Sequence, residues 1–114
     1  MERRRVVVTG LGAINAIGHN VEETWKSIKE GVCGIDEITN YDKELTKVKI
    51  AGEVKNFNAA DYLDKKAVRK MDRFTQFGVI AAKEAFKDAG LKIEEIDADR
   101  FGVVVSSGIG ACNN

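Results

Sequence analysis

Two valine-rich runs in the chain have the pattern of buried β-strands. The first, Val-Val-Val-Thr, occupies residues 6–9 and leads into Gly-Leu-Gly at residues 10–12. The second occupies residues 101–105 and leads into Ser-Ser-Gly-Ile-Gly at residues 106–110. Short continuous runs of β-branched residues that end at glycine are typical of strands buried on both faces. We therefore predict one strand at each position.

A first amphipathic helix is predicted between Asn20 and Gly31. Asn20 is a good N-cap residue, and Glu23 stands three residues later, as in a capping box. The apolar face consists of three residues at helical spacing, Val21, Trp25 and Ile28. Gly31 follows as a left-handed C-terminal stop. The segment therefore has a start signal, a periodic face and a stop signal.

A second helix is predicted from Asp72 to Gly90. Asp72 is the expected N-cap, and its charge would complement the positive end of the helix dipole. The apolar face is formed by Phe74, Phe77, Ala81 and Ala85. Gly90 is expected just beyond the last helical turn. Residues 32–60, between the two helices, are rich in turn residues and are predicted to form an irregular stretch with one or two short strands.

The predicted order is strand, helix, loop region, helix, strand. This alternation favours an α/β layer arrangement with an incomplete mixed sheet, at least partly parallel, and flanking helices. With 114 residues, the chain is expected to form at most one compact domain, over residues 1–114.

Composition excludes several classes of function. Eighteen basic residues balance eighteen acidic ones, so bulk charge predicts no nucleic-acid partner. The apolar runs are far shorter than the roughly 20 residues of a membrane span, and no secretory signal is visible, so we expect a cytoplasmic protein with no membrane contact. Cys33 and Cys112 are expected to be free thiols. A metal site is not expected, since His19 is the only histidine.

The Gly-Leu-Gly sequence at residues 10–12 invites comparison with a dinucleotide-binding turn. The fingerprint G-x-G-x-x-G would place glycine at position 15, where Asn15 stands. The predicted helix also begins only near Asn20, too late to meet a pyrophosphate held by these glycines. We therefore expect the glycines to permit a tight exit from a buried strand, and a nucleotide-binding domain remains only a third hypothesis.

Four separated segments resemble, in order and at suitable spacing, the N-terminal region of the β-ketoacyl-acyl-carrier-protein synthase II family of thiolase-like condensing enzymes. They are RRVVVTGLG at residues 4–12, DYLDKK at 61–66, RKMDRFTQF at 69–77 and SGIG at 107–110. The resemblance implies the N-terminal portion of a thiolase-like fold. It also implies that the complete enzyme works as a homodimer without a cofactor, and that acyl carrier protein is its partner.

The implied reaction is a decarboxylating Claisen condensation of acyl and malonyl thioesters in fatty-acid elongation. A cysteine nucleophile takes the acyl chain, and two histidines and backbone N–H groups stabilise the charge that develops afterwards. In the family all three catalytic residues lie beyond the part that this chain matches. The chain alone is therefore expected to be inactive. A non-catalytic acyl-carrier-protein-binding module is the alternative function.

The resemblance also implies two sites within this chain. Lys66, Arg69 and Lys70 match basic positions that dock the acidic carrier protein; a solvated basic face is the alternative. If their segment is helical, the three share a face at i, i+3 and i+4. Ile109 matches an isoleucine that lines the fatty-acyl pocket; a core residue at a strand exit is the alternative.

Three further residues are expected to have no chemical role. Cys112 follows an alanine, as the family nucleophile does, but it is expected to be a passive thiol because no helix follows to lower its pKa. Cys33 is expected to be a small turn residue. His19 is expected to be ordinary surface at a helix start, without a partner nearby in the sequence. The tail at residues 111–114 departs from the family pattern.

Overall fold

The structure, a computed structural model, describes residues 2–111. Helices and two short strands succeed one another along these residues. In chain order the α-helices and strands are α1 (Val21–Glu30), β1 (Ile35–Glu37), β2 (Ile50–Gly52), α2 (Lys65–Val68) and α3 (Arg73–Asp88). Short 3-10 helices occupy Lys43–Leu45, Ala59–Asp61, Ile93–Glu95 and Ala98–Arg100.

The predicted start and stop of α1 are confirmed. The Asn20 side chain accepts a hydrogen bond from the backbone N–H of Glu23, with an N···O distance of 2.8 Å. The Glu23 carboxylate reaches back to the backbone N–H of His19 at 2.9 Å, one residue earlier than a standard capping box requires. Gly31 ends the helix with φ +69°, in the left-handed region that glycine adopts without strain.

The second predicted helix, α3, is also present, but its N-cap differs from expectation. Asp72 occupies the cap position with an extended backbone and makes no side-chain capping hydrogen bond. At the other end Gly90 has φ +69°, as predicted for the residue after the last turn. The buried residue of α3 is Ile80, whereas Phe74 of the predicted apolar face is exposed, so the predicted face is only partly correct.

Strands β1 and β2 form an antiparallel pair, as predicted for the region between the two long helices. Ile35 lies opposite Gly52, and Glu37 lies opposite Ile50. Within the described residues this pair is the whole sheet, so the prediction of a partly parallel sheet is wrong for residues 2–111.

The prediction of strands at residues 6–9 and 101–105 is also wrong for the described residues. Both segments lie outside any strand ladder, and their valines are exposed, with Val6 at 92% and Val104 at 97%. A strand requires a second extended segment to pair its N–H and C=O groups. Within residues 2–111 neither run forms such backbone hydrogen bonds, and β-propensity alone cannot supply the partner.

Residues 10–12 instead pack on the surface of α3. A Cβ atom added to Gly12 would collide with the carbonyl of Ala81 and lie 2.9 Å from the backbone nitrogen of Ala85. One added to Gly10 would lie 2.6 Å from the nitrogen of Ala89. The glycines thus permit close contact with a helix backbone, which corrects the expected role at the exit of a buried strand.

The hydrophobic core is small and lies beside α3. Ala59, Leu63 and Ile80 are buried together. Five partly buried residues pack around them, namely Ile14, Phe57, Val68, Met71 and Val79. No helix of residues 2–111 has both the length and the apolar character needed to span a membrane.

Candidate functional site

Lys66, Arg69 and Lys70 lie on one helical turn. Lys66 belongs to α2, Arg69 is its C-cap, and Lys70 follows immediately. The backbone N–H of Arg69 donates to Lys65 O at 3.3 Å, and that of Lys70 donates to Ala67 O at 3.1 Å. Arg69 therefore continues the helical conformation of α2 and shares a face with Lys66 at i, i+3, whereas Lys70 lies in the turn that follows. We call residues 65–71 the basic turn.

The basic turn has an apolar inner side and a charged outer side. Val68 and Met71 are half-buried and pack against the core. Lys66, Arg69 and Lys70 are exposed. Within residues 2–111 none of the three forms an ion pair with a carboxylate. The three positive charges are consequently available to an acidic partner.

The side chain of Gln76, in α3, is hydrogen-bonded to the end of the basic turn. Its Nε2 donates to Met71 O at 3.3 Å and approaches Val68 O at 3.5 Å. Both partners are carbonyl oxygens, so the side-chain amide must present its N–H groups to them. Val68 is the last residue of α2, and its carbonyl also accepts the backbone N–H of Met71 at 3.2 Å; Met71 lies just beyond the helix. No local sequence pattern marks Gln76, because its two partners lie five and eight residues earlier, before the chain turns into α3.

Arg73 starts α3 beside the basic turn and ties it to the β-hairpin. Its guanidinium lies over two aromatic rings, 5.6 Å from the centroid of Phe57 and 5.1 Å from that of Phe77. Its Nη2 donates to Val54 O, just after β2, at 3.0 Å. Cation–π contacts of this kind fix the orientation of the guanidinium plane.

Glu53, next to Val54, follows β2 and binds the segment that follows β1. Its carboxylate accepts hydrogen bonds from the backbone N–H of Thr39 at 2.9 Å and of Asn40 at 3.0 Å, and from the Thr39 hydroxyl at 3.0 Å. The Thr39 backbone N–H is the largest cause that holds the pKa of Glu53 below its usual value; desolvation opposes it, while Asn40, the Thr39 hydroxyl and the charge of Arg73 act with it.

Ile109 lies in a turn that approaches the start of α3. The Gly110 N–H donates to Ser107 Oγ at 3.0 Å, and Gly110 has φ +78°. A Cβ atom on Gly110 would lie 3.7 Å from the ring of Phe74. Ile109 itself is 83% exposed, so within the described residues it is not a core residue. The turn that contains Ile109 and the basic turn therefore lie at the same end of α3.

Within residues 2–111, the contacts of His19 and Cys33 are as follows. His19 Nε2 lies 2.6 Å from Lys55 O, and its ring meets Phe57 edge-on at 5.8 Å. This partner is 36 residues away, so it does not lie near His19 in the sequence. Cys33 is an exposed free thiol, as predicted, and Cys112 lies outside the described residues. Residues 2–111 contain no cluster of three metal-binding side chains.

The sequence model of a family described as "Beta-ketoacyl synthase, N-terminal domain" matches residues 3–114. Among curated proteins, the chain is 54% identical over 109 residues to 3-oxoacyl-[acyl-carrier-protein] synthase 2 of Staphylococcus aureus (strain COL). It is 46% identical over 110 residues to the protein of the same name from Synechocystis. Each match covers 96% of this chain, and the chain spans 26% of the length of these relatives.

Two solved structures have a similar fold. The ishigamide ketosynthase/chain length factor superposes with a TM-score of 0.73 at 37% sequence identity, covering 83% of this chain and 24% of that one. The second, AntDE:AntF (apo), is described as a type II PKS acyl-carrier protein in complex with its ketosynthase bound to the hexaketide. It superposes with a TM-score of 0.62 at 29% identity, covering 84% of this chain and 25% of that one.

Proposed function

Because the chain belongs to the β-ketoacyl synthase N-terminal domain family, we propose that it forms the N-terminal part of a 3-oxoacyl-acyl-carrier-protein synthase. The observation that carries this proposal is the 54% identity over 109 residues to the Staphylococcus aureus synthase. The proposed reaction of the complete enzyme is the decarboxylating condensation of acyl and malonyl thioesters that the sequence resemblance implies. Acyl carrier protein is the proposed partner, supported by the solved complex of a related ketosynthase with its carrier protein.

In this proposal residues 2–111 contribute recognition, and the bond-forming chemistry belongs to other residues of the enzyme. His19 is engaged with the Lys55 carbonyl, and Cys33 has no activating base beside it among its hydrogen-bond partners. The contributions we assign to this chain are the docking charges of the basic turn and the apolar side chain of Ile109. Ile109 is exposed between two glycines, and the family resemblance supports a place for it beside an acyl chain.

Docking of the carrier protein is assigned to Lys66, Arg69 and Lys70. They are exposed, free of ion pairs within the described residues, and mounted on a turn anchored by Val68 and Met71. Exposed charges of this type act mainly by steering association, and each contributes about 1 kcal/mol or less. Their combined effect should be large at low salt and should fall as ionic strength rises.

The test replaces all three residues with glutamate and measures the binding of Staphylococcus aureus acyl carrier protein at low and high ionic strength. Binding is measured on the 114-residue chain and on a chimeric synthase, in which this chain replaces the matched 109 residues of the Staphylococcus aureus relative. The matched control reverses three exposed lysines elsewhere, Lys26, Lys47 and Lys83.

We expect the docking variant to lose most binding at low salt, and the control variant, with the same change in net charge, to keep most of it. Wild-type binding should weaken as salt is added. If the docking variant binds as tightly as wild type at an equal melting temperature, the basic turn is a solvated surface and the docking assignment is wrong. The chimeric synthase decides the question if the 114-residue chain does not melt cooperatively.

A further inference from the structure

The orientation of the basic turn cannot come from α2 alone. Helix α2 has four residues, Lys65–Val68. Isolated helices shorter than about 12 residues are only marginally stable in water. Fixing the backbone of the first turn costs more free energy than the hydrogen bonds of one turn contribute. Contacts from outside α2 must therefore hold the turn in the conformation that presents its three charges.

The apolar contacts fix only part of this geometry. Val68 and Met71 hold the inner side of the turn against the core. Packing of this kind resists lifting of the turn from the core, but it is not directional. Arg69 and Lys70 lie where α2 has already ended, and their segment continues through an extended Asp72 into α3. A directional contact at this end would restrict how the two side chains are presented.

Gln76 provides that contact. Its side-chain amide reaches from α3 to Met71 O at 3.3 Å and to Val68 O at 3.5 Å, so its acceptors flank Arg69 and Lys70 on both sides. Gln76 is itself half-buried and uncharged, and therefore adds nothing to the attraction of an acidic partner. Any influence it has on docking must pass through the turn.

We propose that Gln76 is a positioning residue of the carrier-protein docking surface, which holds the C-terminal carbonyls of the basic turn so that Arg69 and Lys70 meet the partner already ordered. This inference rests on the proposed docking function. Preordering raises affinity because the cost of fixing long side chains and their backbone is not incurred again on binding. The Gln76 amide thus raises the affinity for the carrier protein without contacting it.

The experiment is a double-mutant cycle read by the binding of Staphylococcus aureus acyl carrier protein to the chimeric synthase. Gln76→Met keeps the length and helix propensity of the side chain and removes both N–H donors. The control is Ala82→Met, which places the same side chain at an exposed position of α3 away from the turn. Each is made in the wild type and in a background where Lys66, Arg69 and Lys70 are all glutamine.

Gln76→Met should weaken binding about three- to tenfold in the wild-type background, the range expected for loss of one or two modest hydrogen bonds. It should change binding less than about twofold in the neutralised background, since residues that act through one another are not additive. Ala82→Met should leave binding unchanged in both. Amide hydrogen exchange at Arg69, Lys70 and Met71 should accelerate in Gln76→Met while the core amide of Ile80 stays protected.

Unchanged binding of Gln76→Met in the wild-type background would overturn the inference. Equal weakening in both backgrounds would also overturn it, since Gln76 would then act on overall stability and not through the docking charges. Wild-type binding by the neutralised variant alone would instead refute the docking function itself. If Gln76→Met lowers the melting temperature, all variants are compared at a temperature where each is folded, so that loss of folding is not counted as loss of positioning.

Discussion

Replacing Gly12 with alanine places a methyl carbon where the backbone of α3 already lies. The added Cβ would collide with the Ala81 carbonyl oxygen and lie 2.9 Å from the Ala85 nitrogen, whereas carbon atoms in comfortable contact stand about 3.5–4.0 Å from their neighbours. The obstacle is helix backbone, which cannot rotate away as a flexible side chain can. Either α3 or residues 10–12 must therefore shift.

The expected cost follows from this geometry. Overpacking a well-filled contact costs about 1–3 kcal/mol, and the rigid obstacle places Gly12→Ala near 3 kcal/mol. For a domain of this size that corresponds to a fall in melting temperature of roughly 10 °C. Gly78 is the matched control, because it lies within α3 and a Cβ added there meets nothing within 4 Å. Gly78→Ala should stabilise the protein by about 0.5–1 kcal/mol, since alanine is the better helix former.

The assay is thermal unfolding of the 114-residue chain followed by circular dichroism, repeated on the chimeric synthase. Opposite shifts of the two variants are the expected result. A Gly12→Ala melting temperature equal to that of wild type would refute the contact between residues 10–12 and α3. Equal destabilisation of both variants would contradict the difference between the blocked Cβ position at Gly12 and the open one at Gly78.

Two further predictions concern Glu53 and Ile109. Because hydrogen bonds lower the folded-state pKa of Glu53, its stabilising contribution is present above the unfolded pKa and is lost as pH falls through the folded one. The excess melting temperature of wild type over Glu53→Gln should therefore be largest near neutral pH and vanish in acid; a difference independent of pH would contradict this. In the chimeric synthase, Ile109→Phe should exclude long acyl chains before short ones, measured as product formation across chain lengths. The control Ile93→Phe, at another exposed position, should leave that profile unchanged, and an unchanged profile for Ile109→Phe would remove Ile109 from the pocket.

Local signals in the sequence predicted the local structure well. The contact between Asn20 and Glu23 and the left-handed Gly31 follow from rules that involve only a few neighbouring residues. The predicted fold class, the N-terminal portion of a thiolase-like fold, is confirmed by the family match and by the similar ketosynthase structure. The fold class could be predicted from the sequence because four motifs in the right order are more specific than any single hydrophobic periodicity.

The errors have a common physical origin in contacts between distant residues. The runs at residues 6–9 and 101–105 have strand propensity, but the described residues offer them no pairing partner. The backbone N–H groups of Ala13 and Val21 donate hydrogen bonds to the Glu84 carboxylate across more than 60 residues of sequence, and no local pattern predicts them. The same is true of the bond between His19 and Lys55.

For the candidate site, the sequence identifies the basic residues but not the contacts that hold them in place. The family resemblance assigned docking to Lys66, Arg69 and Lys70, and that role stays a prediction. Lys66 lies in α2, and Arg69, its C-cap, has helical φ and ψ. Gln76 was missed because a single glutamine in a helix has many ordinary explanations. Only the fold shows that its amide meets two carbonyls of the preceding turn.

The exposed valines also bear on how the polypeptide behaves at high concentration. Two unpaired β-branched runs on one chain can each template strand pairing with another copy, and such pairing grows with concentration while folding does not. The first run follows Arg3, Arg4 and Arg5, whose repulsion opposes stacking of identical segments. The second follows Asp99 and Arg100, whose opposite charges cancel. We therefore expect self-association of the isolated chain to start at residues 101–105, and dilution to favour the monomer.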